Sequence, residues 1–124
     1  MPTMVRGVRG ATTADANARD AVLDATQELL KAMVEANAIS SEDIAAVLFT
    51  TSPDLVAEFP AVAARRMGWN CVPLMCGHEM AAAHGQPRCI RILVLWNTEK
   101  GQSDIKHVYL KEAVDLRSHQ ARTT

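Results

Sequence analysis

The sequence predicts an α+β fold: one mixed β-sheet with helices packed on it. Three observations lead there. Apolar runs of strand length recur around 4–11, 45–50, 71–76, 89–96 and 105–110. One long stretch, about Ala18 to Ala36, instead repeats every three or four residues, with Val22, Ala25, Leu29, Met33 and Ala36 on one side. The resulting order, β-α-β-α-β-β-β, suits a single mixed sheet carrying helices.

The elements follow in order. Met4 to Ala11 alternates Val, Gly and Arg as a first strand, and Thr12, Thr13 and Asp15 supply helix-start chemistry. The long helix turns Asp20, Asp24, Glu28, Lys31 and Glu35 to solvent, and Asn37 suits a left-handed terminator. Ser40 to Asp43 resembles a capped turn, and Ala45 to Thr50 is expected as a fully buried strand. After a Ser52-Pro53-Asp54 turn, Pro60 opens a second helix that passes Arg65 and Arg66 and stops at Gly68. Pro73 in the strand Cys71 to Cys76 points to an edge or a bulge. A loop runs from Gly77 to Pro87, the strand Cys89 to Trp96 follows, then a turn and a last strand from Ile105 to Leu110. The tail after Ser118 is polar and expected to be mobile.

The chain has 124 residues, 48% hydrophobic and 22% charged, which fits one domain spanning 1–124. Aromatic residues make up only 4%, so the core is aliphatic, and a core this small makes oligomerisation a natural source of extra stability. Net charge is -1, which argues against nucleic-acid or membrane partners held by bulk charge. Basic residues nevertheless concentrate in the second half, where Arg65, Arg66, Arg88 and Arg91 offer a local anion site.

Cys71, Cys76 and Cys89 form no Cys-x-x-Cys pair, and an odd number does not close a disulfide framework. His78, His84, His107 and His119 show no zinc spacing with them, so no metal is expected. No apolar run approaches the roughly 18 residues of a membrane span. The cytosol is the expected compartment.

Arg91 is the most informative residue. It lies inside the most apolar strand and shares a face with Cys89, Leu93 and Leu95. A cation there loses hydration, and Arg cannot escape by deprotonating. Either a carboxylate pairs with it or it awaits an anionic ligand. There is no Gly-x-Ser-x-Gly elbow and no phosphate loop, and Arg6 to Gly10 lacks a dinucleotide pattern. What remains is a set of arginines, the isolated carboxylate Glu79, Tyr109 and apolar walls. That inventory suits a small polyanion, or a reaction eased by charge complementarity and conformational restraint.

Five separated blocks carry a family resemblance. They are Val5 to Thr13, Ser52-Pro53-Asp54-Leu55 through Phe59-Pro60-Ala61, Cys76 with Glu79-Met80, Cys89-Ile90-Arg91, and His107-Val108-Tyr109-Leu110. Together they resemble the monofunctional chorismate mutases of the trimeric, Bacillus-type class. The resemblance implies a homotrimer with a pseudo α/β-barrel appearance and a site at each subunit interface. It implies conversion of chorismate to prephenate, in aromatic amino-acid biosynthesis, without cofactor or metal.

By the same resemblance, Arg91 faces the ether oxygen and Glu79 accepts the ring hydroxyl, assisted by Cys76. Arg9 and Tyr109 hold a substrate carboxylate. Phe59 and Leu116 form apolar walls, and Arg65 and Arg117 act at the rim. Met75 stands where many relatives carry a small hydroxyl residue, and Val62 where lysine is frequent. Taken singly, Glu79 reads as a loop carboxylate, Tyr109 as a packing residue, Arg65 as a helix-dipole complement, Phe59 as a helix staple and His107 as structural. Only their co-occurrence says otherwise. The rival reading is a non-catalytic trimeric protein that binds a small carboxylate. An enzyme acting on another small acid would need an ordered catalytic water, for which the residues give no specific sign.

Overall fold

A computed structural model describes residues 2–81 and 85–114. Leu116, Arg117, the tail and part of the 77–87 loop therefore lie outside the described residues. Five strands form one sheet: β1 (Met4–Thr13), β2 (Ile44–Thr51), β3 (Leu74–His78), β4 (Cys89–Thr98) and β5 (Val108–Tyr109). Their spatial order is β3-β2-β4-β1-β5. The central β4 runs antiparallel to β1 and β2, whereas β3 and β5 pair in parallel with β2 and β1. Helices α1 (Arg19–Asn37) and α2 (Ala61–Arg66) complete the expected α+β arrangement.

The pleat sorts the sheet into two unlike faces. Val8, Val47, Phe49, Ile90, Ile92, Val94 and Trp96 point to the helix side and are buried with Val22, Leu29, Leu30 and Met33 of α1. Gly10 lets the helix come close: a Cβ there would run into the Met33 side chain and approach Leu29 Cδ1 at 3.2 Å. The opposite face, with Leu48, Leu93 and Leu95, is only half-buried. This corrects the expectation for β2. It alternates rather than being buried throughout, because no element described in the chain covers its second face.

Other boundaries move for tertiary reasons. Thr12 and Thr13 do not start the helix; they extend β1, where Thr12 pairs with Ile90 and Thr13 with Cys89. The helix begins at Arg19 behind Ala18, which makes no side-chain cap. At its far end the left-handed residue is Ala38, with φ 55°, not Asn37. Asn37 is still helical and buried, and its amide joins the helix to the segment before β5: Nδ2 donates to the Met33 carbonyl at 3.0 Å and to the Lys106 carbonyl at 2.8 Å, and Oδ1 accepts the Lys106 N–H at 2.8 Å. With both backbone groups of Lys106 so engaged, β5 shrinks to Val108 and Tyr109.

The strand with Pro73 begins only at Leu74 and does sit at the sheet edge. Gly68, φ 89°, adopts the left-handed geometry that follows α2. The Ser52-Pro53-Asp54 turn clamps the start of β4. Ser52 Oγ accepts the Cys89 N–H at 2.9 Å, and Asp54 Oδ2 accepts the Arg88 N–H at 2.9 Å. That clamp sets where Arg91 emerges.

Candidate active site

Strand register assembles the site. Arg91 pairs with Ala11 on one side and Thr50 on the other; Thr50 pairs with Gly77, and Ala11 with Tyr109. Directly opposed residues share a face, so Gly77, Thr50, Arg91, Ala11 and Tyr109 form a row across all five strands. The row lies on the half-open face. Ala11, between Arg91 and Tyr109 in this row, is buried. Arg9, two residues before Ala11, projects from the same face and is exposed.

Glu79 reaches this row from the end of β3. Its N–H donates to the Thr51 carbonyl at 2.7 Å, continuing the β3–β2 pairing past His78. Its Oε2 accepts the Thr50 hydroxyl and lies 3.8 Å from Arg91 Nε. The two charged side chains remain 40% and 34% exposed. Arg91 is thus neither sealed in a structural ion pair nor free in solvent. Glu79 restrains it while part of its fork stays exposed to an incoming anion.

Beneath Arg91 lies Cys89. Burial pushes its thiol up, opposed by the charge of Arg91 and by a hydrogen bond from the Arg91 side chain. The neutral sulfur is a weak acceptor against the guanidinium rather than a nucleophile.

Cys76, Phe59 and Arg65 stand elsewhere. Cys76 pairs with Phe49, so it points to the helix face, away from Arg91. It is half-buried against the core, and burial raises its thiol despite the Ala61 amide and the Arg65 charge. Beside it opens a cleft of about 440 Å³, lined by Thr51, Leu55, Phe59, Pro60, Cys76 and His78 among others. Phe59 is 68% exposed at its mouth. The loop leading to it is anchored on the start of α1: Asn17 Oδ1 accepts the Val56 and Ala57 N–H groups at 3.0 and 3.1 Å, and Glu58 pairs with Arg19 at 2.9 Å. A single chain therefore divides the expected residues in two. Arg9, Arg91, Glu79 and Tyr109 gather on the open face; Phe59, Arg65 and Cys76 gather at the β3 edge.

A family model for chorismate mutase type I matches residues 5–120. The chain belongs to that family. It is 50% identical over 115 residues to a chorismate mutase of Thermus thermophilus, covering 92% of this chain and 94% of that one. The corresponding enzyme of Bacillus subtilis is 41% identical over 115 residues, covering 92% and 91%. A solved chorismate mutase from Clostridium thermocellum superposes with a TM-score of 0.86 at 45% identity, covering 88% of this chain and 97% of that one.

Thr50, which touches Glu79, is a candidate site residue that the local sequence pattern does not reveal. Its hydroxyl orients Glu79 toward Arg91, yet a lone Thr in a strand carries no local sign of its cross-strand neighbour. Among the described residues, no group of three or more His, Cys, Asp or Glu side chains is arranged to hold a metal ion. No helix among them is long and apolar enough to cross a membrane.

Proposed function

We propose that this protein converts chorismate to prephenate by a pericyclic rearrangement, in aromatic amino-acid biosynthesis. The observation that carries the assignment is Arg91 paired with Glu79 on an open sheet face, in a chain of the chorismate mutase type I family. The comparisons lend nothing to the rival reading of a non-catalytic carboxylate binder.

The reaction breaks a C–O bond as a C–C bond forms and needs no nucleophile and no proton transfer. Charge separates on the way: negative on the ether oxygen, positive on the ring. Arg91, a permanent cation restrained by Glu79, is suited to the oxygen, because its attraction grows as that charge develops. Glu79 suits the ring hydroxyl and the developing positive charge. Thr50 occupies one side of Oε2 and leaves the other oxygen for substrate. Arg9 and Tyr109, on the same face, suit a carboxylate of the substrate. Holding the enolpyruvyl arm compact over the ring supplies the remaining restraint.

This reading includes a homotrimer in the cytoplasm, with each site shared by two subunits. Two observations support the association of subunits around a shared site. The open face presents Leu48, Leu93 and Leu95 half-exposed and Met75 67% exposed, an apolar surface that water covers poorly. Phe59, Arg65 and Cys76 also lie too far round the sheet to join Arg91 from their own chain, whereas a neighbouring subunit can bring them. Leu116 and Arg117, outside the described residues, belong to the proposed wall and rim.

Purified protein is expected to consume chorismate with prephenate as product, and no turnover by a correctly folded oligomer would overturn the assignment. Mixing tests the shared site. Oligomers formed from Arg91→Ala and Arg65→Ala chains should be more active than either parent, since some interfaces receive both intact halves. Absence of that gain, with mixed oligomers shown to form, would place all the residues in one chain's site.

A further inference from the structure

We propose that His107 is a positioning residue whose unprotonated Nδ1 locks Arg9 and Tyr109 into one substrate-binding unit. The proposal rests on the reading of function above and adds a residue to it. β5 is only two residues long and is joined to β1 through the pairs Gly10–Val108 and Ala11–Tyr109. The Leu110 N–H closes that ladder on the Ala11 carbonyl at 2.9 Å. A regular parallel ladder would next carry the Arg9 N–H to the carbonyl of Lys106. That carbonyl is turned instead to Asn37 Nδ2 at 2.8 Å, and the Lys106 N–H to Asn37 Oδ1 at 2.8 Å.

The Arg9 amide is not left unpaired. It donates to His107 Nδ1 at 3.0 Å, so the imidazole ring replaces the missing rung. A backbone N–H only donates, so Nδ1 carries no proton and the ring is in the tautomer protonated at Nε2. The contact falls where it affects recognition. Arg9 bears the guanidinium on the open face, and Tyr109 follows His107 by two residues and sits beside Ala11. A two-residue strand without this rung is free to slide or peel from β1, and Tyr109 would move away from Arg9. Asn37 explains why a side chain, rather than the main chain, makes the connection.

Three variants and two readouts test this. In His107→Asn the amide oxygen takes the place of Nδ1; in His107→Gln the acceptor lies too far out; in His107→Ala there is none. Losing one such bond from a binding unit should raise KM for chorismate about tenfold in the Ala and Gln variants. The maximal rate should stay within about threefold, since Arg91 and Glu79 are untouched, and the Asn variant should return KM to within about threefold of wild type. In the wild-type protein at neutral pH, 15N spectra of labelled histidine should show one ring with an unprotonated Nδ1. Exchange of the Arg9 amide should be slow, and fast in His107→Ala. Unchanged KM in His107→Ala, an Asn variant no better than Ala, or a protonated Nδ1 on His107 would each overturn the proposal. If wild-type protein does not turn over chorismate, the functional reading fails by itself. The nitrogen signal and the Arg9 amide then decide the His107 contact alone.

Discussion

Replacing Arg91 with alanine separates what this side chain does for the fold from what it does for the reaction. Its ion pair with Glu79 spans 3.8 Å between side chains 40% and 34% exposed. At an effective dielectric near 20 the bare attraction is about 4 kcal/mol, but pairs this open to water net at most about 1 kcal/mol. For a domain of this size that is a fall of at most about 5 °C in Tm. Removing a preorganised donor from a developing oxyanion costs about 3 kcal/mol or more, hence a loss of at least about a hundredfold in kcat. The variant should therefore melt almost normally and turn over chorismate very slowly. Arg91→Lys keeps the charge without the planar fork and should fall between. Chorismate disappearance, followed beside thermal melts on the same preparations, reads both. A variant keeping kcat within about threefold of wild type, or one losing more than about 10 °C in Tm, would refute the division of roles.

Other outcomes follow from neighbouring contacts. Thr50→Val removes the hydroxyl that orients Glu79 and should lower kcat about tenfold, while Thr50→Ser retains activity, as steady-state kinetics will show. Gly10→Ala forces a methyl group against the buried Met33 and should cost about 1–3 kcal/mol in urea unfolding; an unchanged midpoint would mean that α1 does not rest closely on β1. Asp54 is held below the usual carboxylate range, chiefly by the Ser52 hydroxyl and further by the Arg88 amide and charge. Its contribution is therefore present above the ordinary carboxylate range and is lost as pH falls through the depressed folded value. Asp54→Asn should melt below wild type at neutral pH, and the two curves should converge in acid, below the ordinary carboxylate range.

Local rules reached the long helix, the Arg91 strand and the edge position of the Pro73 strand, because each depends on periodicity or on a missing N–H. They failed where a distant partner intervened. Thr12 and Thr13 look like helix-start residues, yet β4 recruits them as strand. Asn37 looks like a terminator, yet Lys106, distant in sequence, claims its amide and shortens β5. β2 looks buried throughout, yet only one of its faces enters the core. The blocks shared with the family named the expected site residues without any of these contacts, but they carried no register.

The sequence by itself determined that an arginine would stand on the apolar face of a strand, since side chains alternate whatever the partners are. It also determined, through five blocks in order, the family to which the chain belongs. Only the tertiary structure decided which residues meet Arg91. Cross-strand register is a long-range pairing that no local pattern encodes, and it sets Thr50 and Ala11 beside Arg91, with Glu79 within reach of it and Tyr109 one strand further along the same row. The same register turns Cys76 to the other face, which divides the expected site residues within one chain.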